Sequence, residues 1–136
     1  MATLLLLRLA ALTGEGPYRE AAERAIRTVT AFAGEYATGF ANWLTAIDFA
    51  LAPVVEVAVV GAPDATDTHR LLAPARDGYR PNQVLAVAAS PETSIVPLLH
   101  ARFALDGRPT AFVCRNFACR QPVNEPEALA ALLVGG

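Results

Sequence analysis

The hydrophobic pattern of this chain changes its period at Pro53. Before that proline, apolar residues recur at spacings of three and four, which is the pattern of one face of an α-helix. After it, the segment 54–60 is β-branched and apolar except for Glu56, and Gly61 ends it. Such a segment predicts a short buried strand. We therefore expect a mixed α/β protein, with a helical part over residues 1–52 and a small α/β unit over residues 53–136.

Three helices are predicted in the first part. The first runs from about Ala2 to Leu12 and stops near Gly14, because glycine readily takes the left-handed cap conformation. The second starts at Pro17, whose missing N–H costs nothing in a first helical turn, and the third follows Gly39. The stripes of the last two helices are formed by Tyr18, Ala22, Ala25, Val29, Phe32, Tyr36, Phe40, Trp43, Leu44, Ile47 and Leu51. Three helices alone would leave part of these apolar faces exposed, so we expect another chain segment to cover them.

The second part alternates strands and helices. Asp64 or Thr66 can cap a helix through about Ala75, and further apolar strands are predicted over 83–89 and 110–114. Right-handed crossovers then predict a small, mostly parallel, three-stranded sheet.

Two local signals refine this part of the prediction. Asp106-Gly107 is a turn signal, and it leaves open an antiparallel hairpin with residues 100–105. Near the end, Asn124 with Glu127 three residues later resembles a capping box before a final helix.

The charged residues exclude several classes of function. The net charge of -2 argues against a nucleic-acid partner, which normally needs a strongly basic surface. All 11 basic residues are arginine, so the chain carries neither a Walker lysine nor a Schiff-base lysine. No cofactor is predicted, and the fragment is not expected to be an enzyme by itself.

The leucine run 4–7 raises the question of a signal peptide or a membrane helix. No basic region precedes it, Arg8 interrupts it, and the apolar stretch to Leu12 covers about half of the ~20 residues that a membrane helix needs. Two cysteines do not form a disulfide framework. We therefore expect a cytoplasmic protein with no membrane partner.

The segment 112–122 contains the most distinctive candidate residues. It places Cys114 and Cys119, with Asn116 between them, where the third predicted strand runs into a loop. Ligands of parallel α/β sheets usually lie at strand ends, so Asn116 is a candidate ligand-binding residue. The cysteines have three readings: structural thiols, a redox pair activated by the neighbouring arginines, or part of a metal site.

The spacing of the cysteines favours the structural reading. It is C-x4-C rather than the C-x-x-C of thioredoxin-type redox sites. A closed zinc site needs four ligands, and only His69 and His100 could complete one, without ligand spacing. We therefore predict no metal site and no catalytic residue.

Trp43 and Asp48 form the other candidate site, because a carboxylate beside an aromatic ring on one helix face is typical of sugar-binding clefts. Glycoside hydrolysis needs a second positioned carboxylate, for which Glu35 and Glu56 are candidates, although neither spacing enforces a meeting. The alternative is an aromatic core residue beside a solvated or helix-pairing aspartate.

Five segments together resemble the C-terminal region of YyaL-type thioredoxin-domain-containing proteins, which are related to the spermatogenesis-associated thioredoxin-like protein of animals. The segments are 6–14, 18–22, 46–48, 56–61 and 114–122, and the likeness covers nearly the whole chain. The resemblance implies an N-terminal thioredoxin-like domain and an α/α toroid of the six-hairpin glycosidase type, followed by a tail like this chain.

On that resemblance, residues 1 to about 52 are the last helices of the toroid, and the chain is the C-terminal piece of a larger protein. The thioredoxin-like domain and most of the toroid lie outside this sequence, so their functional residues cannot be transferred to it. The implied role is a non-catalytic module that closes the toroid or mediates an interaction. Its partner is the rest of the parent protein, or a second copy through the helices. Thiol-dependent redox chemistry at Cys114 and Cys119, or carbohydrate binding by the parent toroid, is the alternative.

Overall fold

Three helices form the N-terminal part of the computed structural model, which describes residues 2–134 and, at Thr93, the backbone alone. They are α1 (Ala2–Thr13), α2 (Gly16–Glu35) and α3 (Ala41–Leu51). Gly14 has a φ of 74° and donates its N–H to the carbonyl of Ala10 at 2.8 Å, which confirms the predicted left-handed cap. Pro17 lies in the first turn of α2, as predicted.

Over residues 53–134, the second part contains four strands and two helices. In chain order they are β1 (Val55–Val60), α4 (Thr66–Arg76), β2 (Gln83–Ala88), β3 (Thr110–Arg115), β4 (Ala118–Cys119) and α5 (Pro126–Val134). Two single-turn 3-10 helices, Pro91–Thr93 and Pro97–Leu99, lie between β2 and β3.

The four strands form one sheet in the order β2-β1-β3-β4. β1 runs parallel to β2, with Val55 opposite Gln83. β3 runs antiparallel to β1, with Glu56 opposite Cys114, and β4 pairs antiparallel with β3. Glu56 therefore lies on the strand directly beside the cysteine-bearing hairpin.

The predicted class, a helical N-terminal part followed by a small mixed α/β unit, is confirmed. Two details of the sheet differ from the prediction: it has a fourth strand, and β3 is antiparallel to its neighbour. A parallel return normally needs a crossover helix on the face of the sheet. Between Ala88 and Thr110 the chain has only two single-turn helices, and it returns antiparallel.

The capping predictions for α4 were wrong. The helix begins after Ala65 without a side-chain cap, so neither Asp64 nor Thr66 serves as one. The acidic group in the first turn is Asp67, whose Oδ1 accepts the N–H of Thr68 at 2.8 Å. This places negative charge at the positive end of the helix dipole without a cap hydrogen bond.

The predicted capping box at Asn124 was also wrong. The amide of Asn124 donates to Thr110 Oγ1 and to the carbonyl of Pro109, both at 2.9 Å, and α5 starts two residues later. Asn124 therefore ties the start of β3 to the segment before α5, a contact that sequence spacing does not reveal.

The Asp106-Gly107 turn is confirmed, since both residues have positive φ, 53° and 67°. It joins Leu105 and Arg108 by a single antiparallel bridge. Within the described residues, the segment 100–105 forms no strand, so the alternative hairpin is limited to that bridge.

The sheet is buried on both faces, which makes the protein three-layered. Alternate residues of β1 face opposite sides: Val57 and Val59 pack with α4 and α5, whereas Ala58 and Val60 pack with α1 and α3. The helical part thus supplies one outer layer of the sheet. The predicted division into two units near residue 52 stays a prediction. No helix in the described range is long and apolar enough to cross a membrane.

Candidate functional site: the disulfide hairpin and its cleft

The hairpin of β3 and β4 turns through Asn116 and Phe117, whose φ angles are +50° and +62°. Two consecutive left-handed residues are typical of the type I′ turn, which matches the twist of a two-residue hairpin. Asparagine is common there, but a bulky residue such as phenylalanine is a conformational outlier. An outlier of this kind persists only where the contacts around it hold the backbone in place.

Cys114 and Cys119 face each other across this hairpin and are joined in a disulfide. Their surroundings differ sharply: Cys114 is 1% exposed, whereas Cys119 is exposed at the surface. In this state neither cysteine is a free thiol. The pair therefore presents one accessible and one buried sulfur.

Arg102, which sequence reasoning did not identify, lies directly against the disulfide. Its Nη2 is 2.9 Å from the sulfur of Cys119 and 3.4 Å from that of Cys114. Its Nη1 donates to the carbonyl of His100 at 3.1 Å, and its guanidinium lies 5.9 Å from the ring centroid of Phe112. Only 9% of Arg102 is exposed, so a nearly buried cation contacts both sulfurs.

Glu56 is the second buried charged residue of the site, with 3% of its surface exposed. Its Oε2 accepts the backbone N–H of Phe117 at 2.8 Å, and the N–H of Asn116 also bonds to it. Burial raises the pKa of this carboxyl above its ordinary value, against the opposing effects of the Phe117 N–H, the charge of Arg102 and the Asn116 N–H. Burial likewise lowers the pKa of Arg102, and the charge of Glu56 opposes that shift.

A cleft of about 590 Å³ lies beside the hairpin, between its tip and the helical layer. Its apolar wall includes Leu7 of α1 and Phe49 of α3, and its polar wall includes Glu56 and Asn116. Phe117 closes one end, because its ring lies so near Gly14 that a Cβ there would be 3.2 Å from the ring. The cleft has the volume of a small-molecule site.

The other predicted residues lie apart from this cleft. Asp48 accepts a hydrogen bond from the side-chain amide of Asn82 at 3.0 Å, which ties α3 to the loop before β2. Trp43 is half-buried on α3. Among the described residues that line the cleft, Asn116 is present, but Trp43 and Asp48 are not. The structure therefore does not bring the three candidate ligand-binding residues together.

The two histidines do not join the cysteines. His69 lies against Arg76, and His100 Nε2 is 3.0 Å from the carbonyl of Ser94. Within residues 2–134 there is no group of three or more His, Cys, Asp or Glu side chains that could hold a metal ion.

The sequence carried a signal for the role of Glu56 at the hairpin but none for that of Arg102. Glu56 is the one polar residue in an otherwise apolar strand. Because a buried carboxylate needs hydrogen-bonding partners, this position indicates a specific contact. Arg102 lies in an irregular loop and shows no periodicity or motif. Its position at the sulfurs is set by the tertiary fold.

Comparison with known proteins places this chain near one group of curated proteins. Spermatogenesis-associated protein 20 of Rattus norvegicus is 27% identical over 135 residues, which cover 94% of this chain and 17% of the relative. The proteins of that name from Homo sapiens and Mus musculus are 33% and 32% identical over 82 residues, 57% of this chain and 10% of each relative. No family model and no solved structure matches the chain.

The chain thus spans between 10% and 17% of the length of these curated relatives. Its sequence is similar to part of a larger protein, and this likeness agrees with the predicted relation to the spermatogenesis-associated protein. The assignment to the C-terminal region of YyaL-type proteins stays a prediction.

Proposed function

We propose that this chain is a non-catalytic module of a longer thioredoxin-domain-containing protein, and that its helical part packs against the rest of that protein by closing an α/α toroid. The observation that carries the proposal is a set of large apolar side chains on the outer helices. Leu5 is 59% exposed, Phe32 57% and Tyr36 62%.

The position of these side chains supports the proposal. The inner faces of α1 and α3 already pack on the sheet through Leu7 and Phe49, whereas Phe32 and Tyr36 lie near the end of α2, away from any core cluster of the described residues. Phe32 and Tyr36 are four residues apart and so lie close to each other at this end of α2. Exposed apolar groups that adjoin one another mark an interaction site. The rat relative, which matches 94% of the chain and extends far beyond it, supports the rest of the parent protein as the occupant.

The experiment is a test of self-association, because an uncovered face pairs with a second copy when its natural cover is missing. We expect the isolated chain to form concentration-dependent dimers by light scattering. The double substitution Phe32→Ser/Tyr36→Ser should make it monomeric. The matched control is Tyr79→Ser/Ile95→Ser, which removes two side chains of the α/β unit that are 89% and 94% exposed, and which should leave dimers intact. A chain that is monomeric at all concentrations would contradict the proposal.

A second candidate is thiol–disulfide chemistry at Cys114 and Cys119. The specific observation in its favour is the guanidinium of Arg102 at both sulfurs, with Cys119 accessible at the surface. If the chain is cytoplasmic, as its sequence predicts, its disulfide lies where such bonds are usually transient and serve catalysis or redox sensing.

The redox candidate is tested by equilibrating the folded chain in glutathione buffers of graded potential and counting alkylated cysteines by mass spectrometry. We expect both cysteines to change state together, with the double variant Cys114→Ser/Cys119→Ser as the blank. A disulfide that resists reduction until the protein unfolds would eliminate this function.

We do not propose carbohydrate binding at Trp43 and Asp48. The carboxylate of Asp48 accepts a hydrogen bond from Asn82, and neither Asp48 nor Trp43 lines the cleft.

A further inference from the structure

We propose that the disulfide accepts electrons from a dithiol, that the incoming thiolate attacks Cys119, and that Arg102 stabilises Cys114 as the leaving thiolate. This inference rests on the redox candidate above and adds to it the direction of attack, the positioning residue and the chemical class of the electron donor.

Attack at Cys119 follows from access to the two sulfurs. A thiol–disulfide exchange needs the incoming sulfur to reach one sulfur of the bond, so exposure decides which one is attacked. Cys119 is exposed on the two-residue strand β4, at the edge of the sheet. Cys114 is 1% exposed on β3, with β1 on its other side. An incoming thiolate therefore meets the sulfur of Cys119 first.

Cys114 is the leaving sulfur because Cys119 is the one attacked, and Arg102 lies where it can stabilise the departing thiolate. A leaving sulfur departs faster when its thiolate is stabilised, and a nearby cation provides that stabilisation. The Nη2 of Arg102 is 3.4 Å from the sulfur of Cys114 and 2.9 Å from that of Cys119, so exposure and not the guanidinium sets the direction of attack. Its interaction with the released thiolate of Cys114 takes place in a nearly buried position, where it is little screened by water. Arg102 is held there by its bond to the carbonyl of His100.

Other charges bear on the same thiolate. Glu56, on β1 opposite Cys114, carries a negative charge that opposes it, and its interaction with Arg102 moderates the field of the guanidinium. Arg102 is the cation in contact with the sulfurs, and it favours the thiolate form of a released cysteine.

The exchange balances in two steps. The donor thiolate attacks the sulfur of Cys119, the bond between Cys114 and Cys119 breaks, and its electron pair leaves on Cys114 as a thiolate. The second thiol of the donor, once deprotonated, then attacks the donor sulfur of this mixed disulfide and releases Cys119 as a thiolate. Two electrons reach the chain, the protons lost by the donor thiols go to the solvent, from which a released thiolate takes one up when it is protonated, and the donor becomes a disulfide.

Glu56 keeps the reduced pair together. Its carboxylate accepts the N–H groups of Phe117 and Asn116, so it holds the hairpin turn independently of the disulfide. The two thiols then stay opposite each other after reduction, and the reverse reaction needs no search for its partner.

The first test traps the mixed disulfide. The oxidised chain is exposed briefly to reduced glutathione, a monothiol that completes the second step only by encounter with a second glutathione molecule, and is quenched with acid before that step. Trypsin cleavage after Arg115 separates the two cysteines, so mass spectrometry locates the adduct. We expect glutathione on the peptide 116–120, which contains Cys119. An adduct mainly on Cys114, or an even division, would overturn the direction of attack.

The second test addresses Arg102. We expect Arg102→Gln to slow reduction by dithiothreitol roughly tenfold at neutral pH, with the rate restored by Arg102→Lys, which keeps the cation. The difference between the Gln and Lys variants should shrink at high pH, where the released thiol ionises without help. Circular dichroism identifies any variant that fails to fold; where Arg102→Gln is such a variant, Arg102→Met, which also lacks the charge, takes its place in the comparison with Arg102→Lys.

The outcomes separate this inference from the redox candidate on which it rests. A disulfide that dithiothreitol cannot reduce in the folded chain eliminates the redox function itself. Reduction at the same rate in the folded Gln variant overturns only the role of Arg102.

Discussion

The carboxylate of Glu56, on the central strand β1, accepts the backbone N–H of Phe117, 2.8 Å away at the tip of the β3–β4 hairpin. The two residues are 61 positions apart in the chain. This bond fixes the turn that carries the two cysteines and places the ring of Phe117 against Gly14 of the α1–α2 loop. The disulfide hairpin is thus anchored to both the sheet and the helical layer.

Removal of the Glu56 carboxylate should weaken the fold. Glu56→Ala leaves the N–H groups of Asn116 and Phe117 without their acceptor and Arg102 without its nearby anion. We expect a loss of about 2–3 kcal/mol in the free energy of unfolding, measured with urea. The control is Glu20→Ala on the exposed face of α2, which should change stability by no more than about 0.5 kcal/mol. Equal effects of the two substitutions would show that the bond to the turn contributes nothing.

The pKa of Glu56 also predicts a pH dependence with a defined sign. Because burial raises this pKa above 4.5, the folded protein binds the proton more tightly than the unfolded chain does. The contribution of this group to stability is therefore complete below the unfolded pKa and is lost as the pH rises through the folded pKa. Relative to Glu56→Gln, which does not titrate, wild type should lose unfolding free energy between pH 4.5 and neutrality. Urea unfolding of both proteins across that range measures the difference in free energy. A gain in the stability of wild type relative to Glu56→Gln with rising pH would contradict the raised pKa of Glu56.

The left-handed conformation of Phe117 should lower the free energy of unfolding, and glycine at this position should avoid that loss. A residue with a side chain at φ of +62° pays about 1–2 kcal/mol relative to glycine, and both Phe117→Gly and Phe117→Ala lose the ring contact with Gly14. We expect the Gly variant to exceed the Ala variant by about 1 kcal/mol in free energy of unfolding. Equal stability of these two variants would indicate that the turn changes its conformation when the ring is removed.

The sequence predicted the regular elements well because their signals are local. The α2 helix spans Gly16–Glu35, close to its apolar stripe, and β1 and β2 match their predicted segments within a residue. The final strand was missed because β4 has only two residues, too few for any periodicity. The direction of β3 depends on how the chain returns after β2, and no residue pattern encodes that path.

The candidate site was predictable only in part. The segment around Cys114 and Cys119 was identified because cysteine is rare in this chain and its chemistry is specific. The disulfide depends on their pairing across a hairpin, which required β4. Asn124 shows the opposite error: a residue with good capping chemistry was used by the fold for a bond to Thr110. A polar side chain near a helix start has several possible partners, and tertiary contacts choose among them.

The junction between β1 and α4 should tolerate no side chain larger than hydrogen at Gly61. A Cβ there would lie 2.7 Å from Thr68 Oγ1 and 3.0 Å from the Cβ of Pro109, and Thr68 is fully buried. We expect Gly61→Ala to lower the free energy of unfolding by about 1–3 kcal/mol, since the crowded atoms belong to a packed core. The matched control is Gly34→Ala in α2, where nothing lies within 4 Å of the added carbon and the helix should gain about 0.5–1 kcal/mol. Urea unfolding of both variants should therefore give shifts of opposite sign. A neutral Gly61→Ala would mean that Pro109 and the start of β3 can move away from α4, and that the loop before β3 is less firmly packed than its hydrogen bond with Asn124 implies.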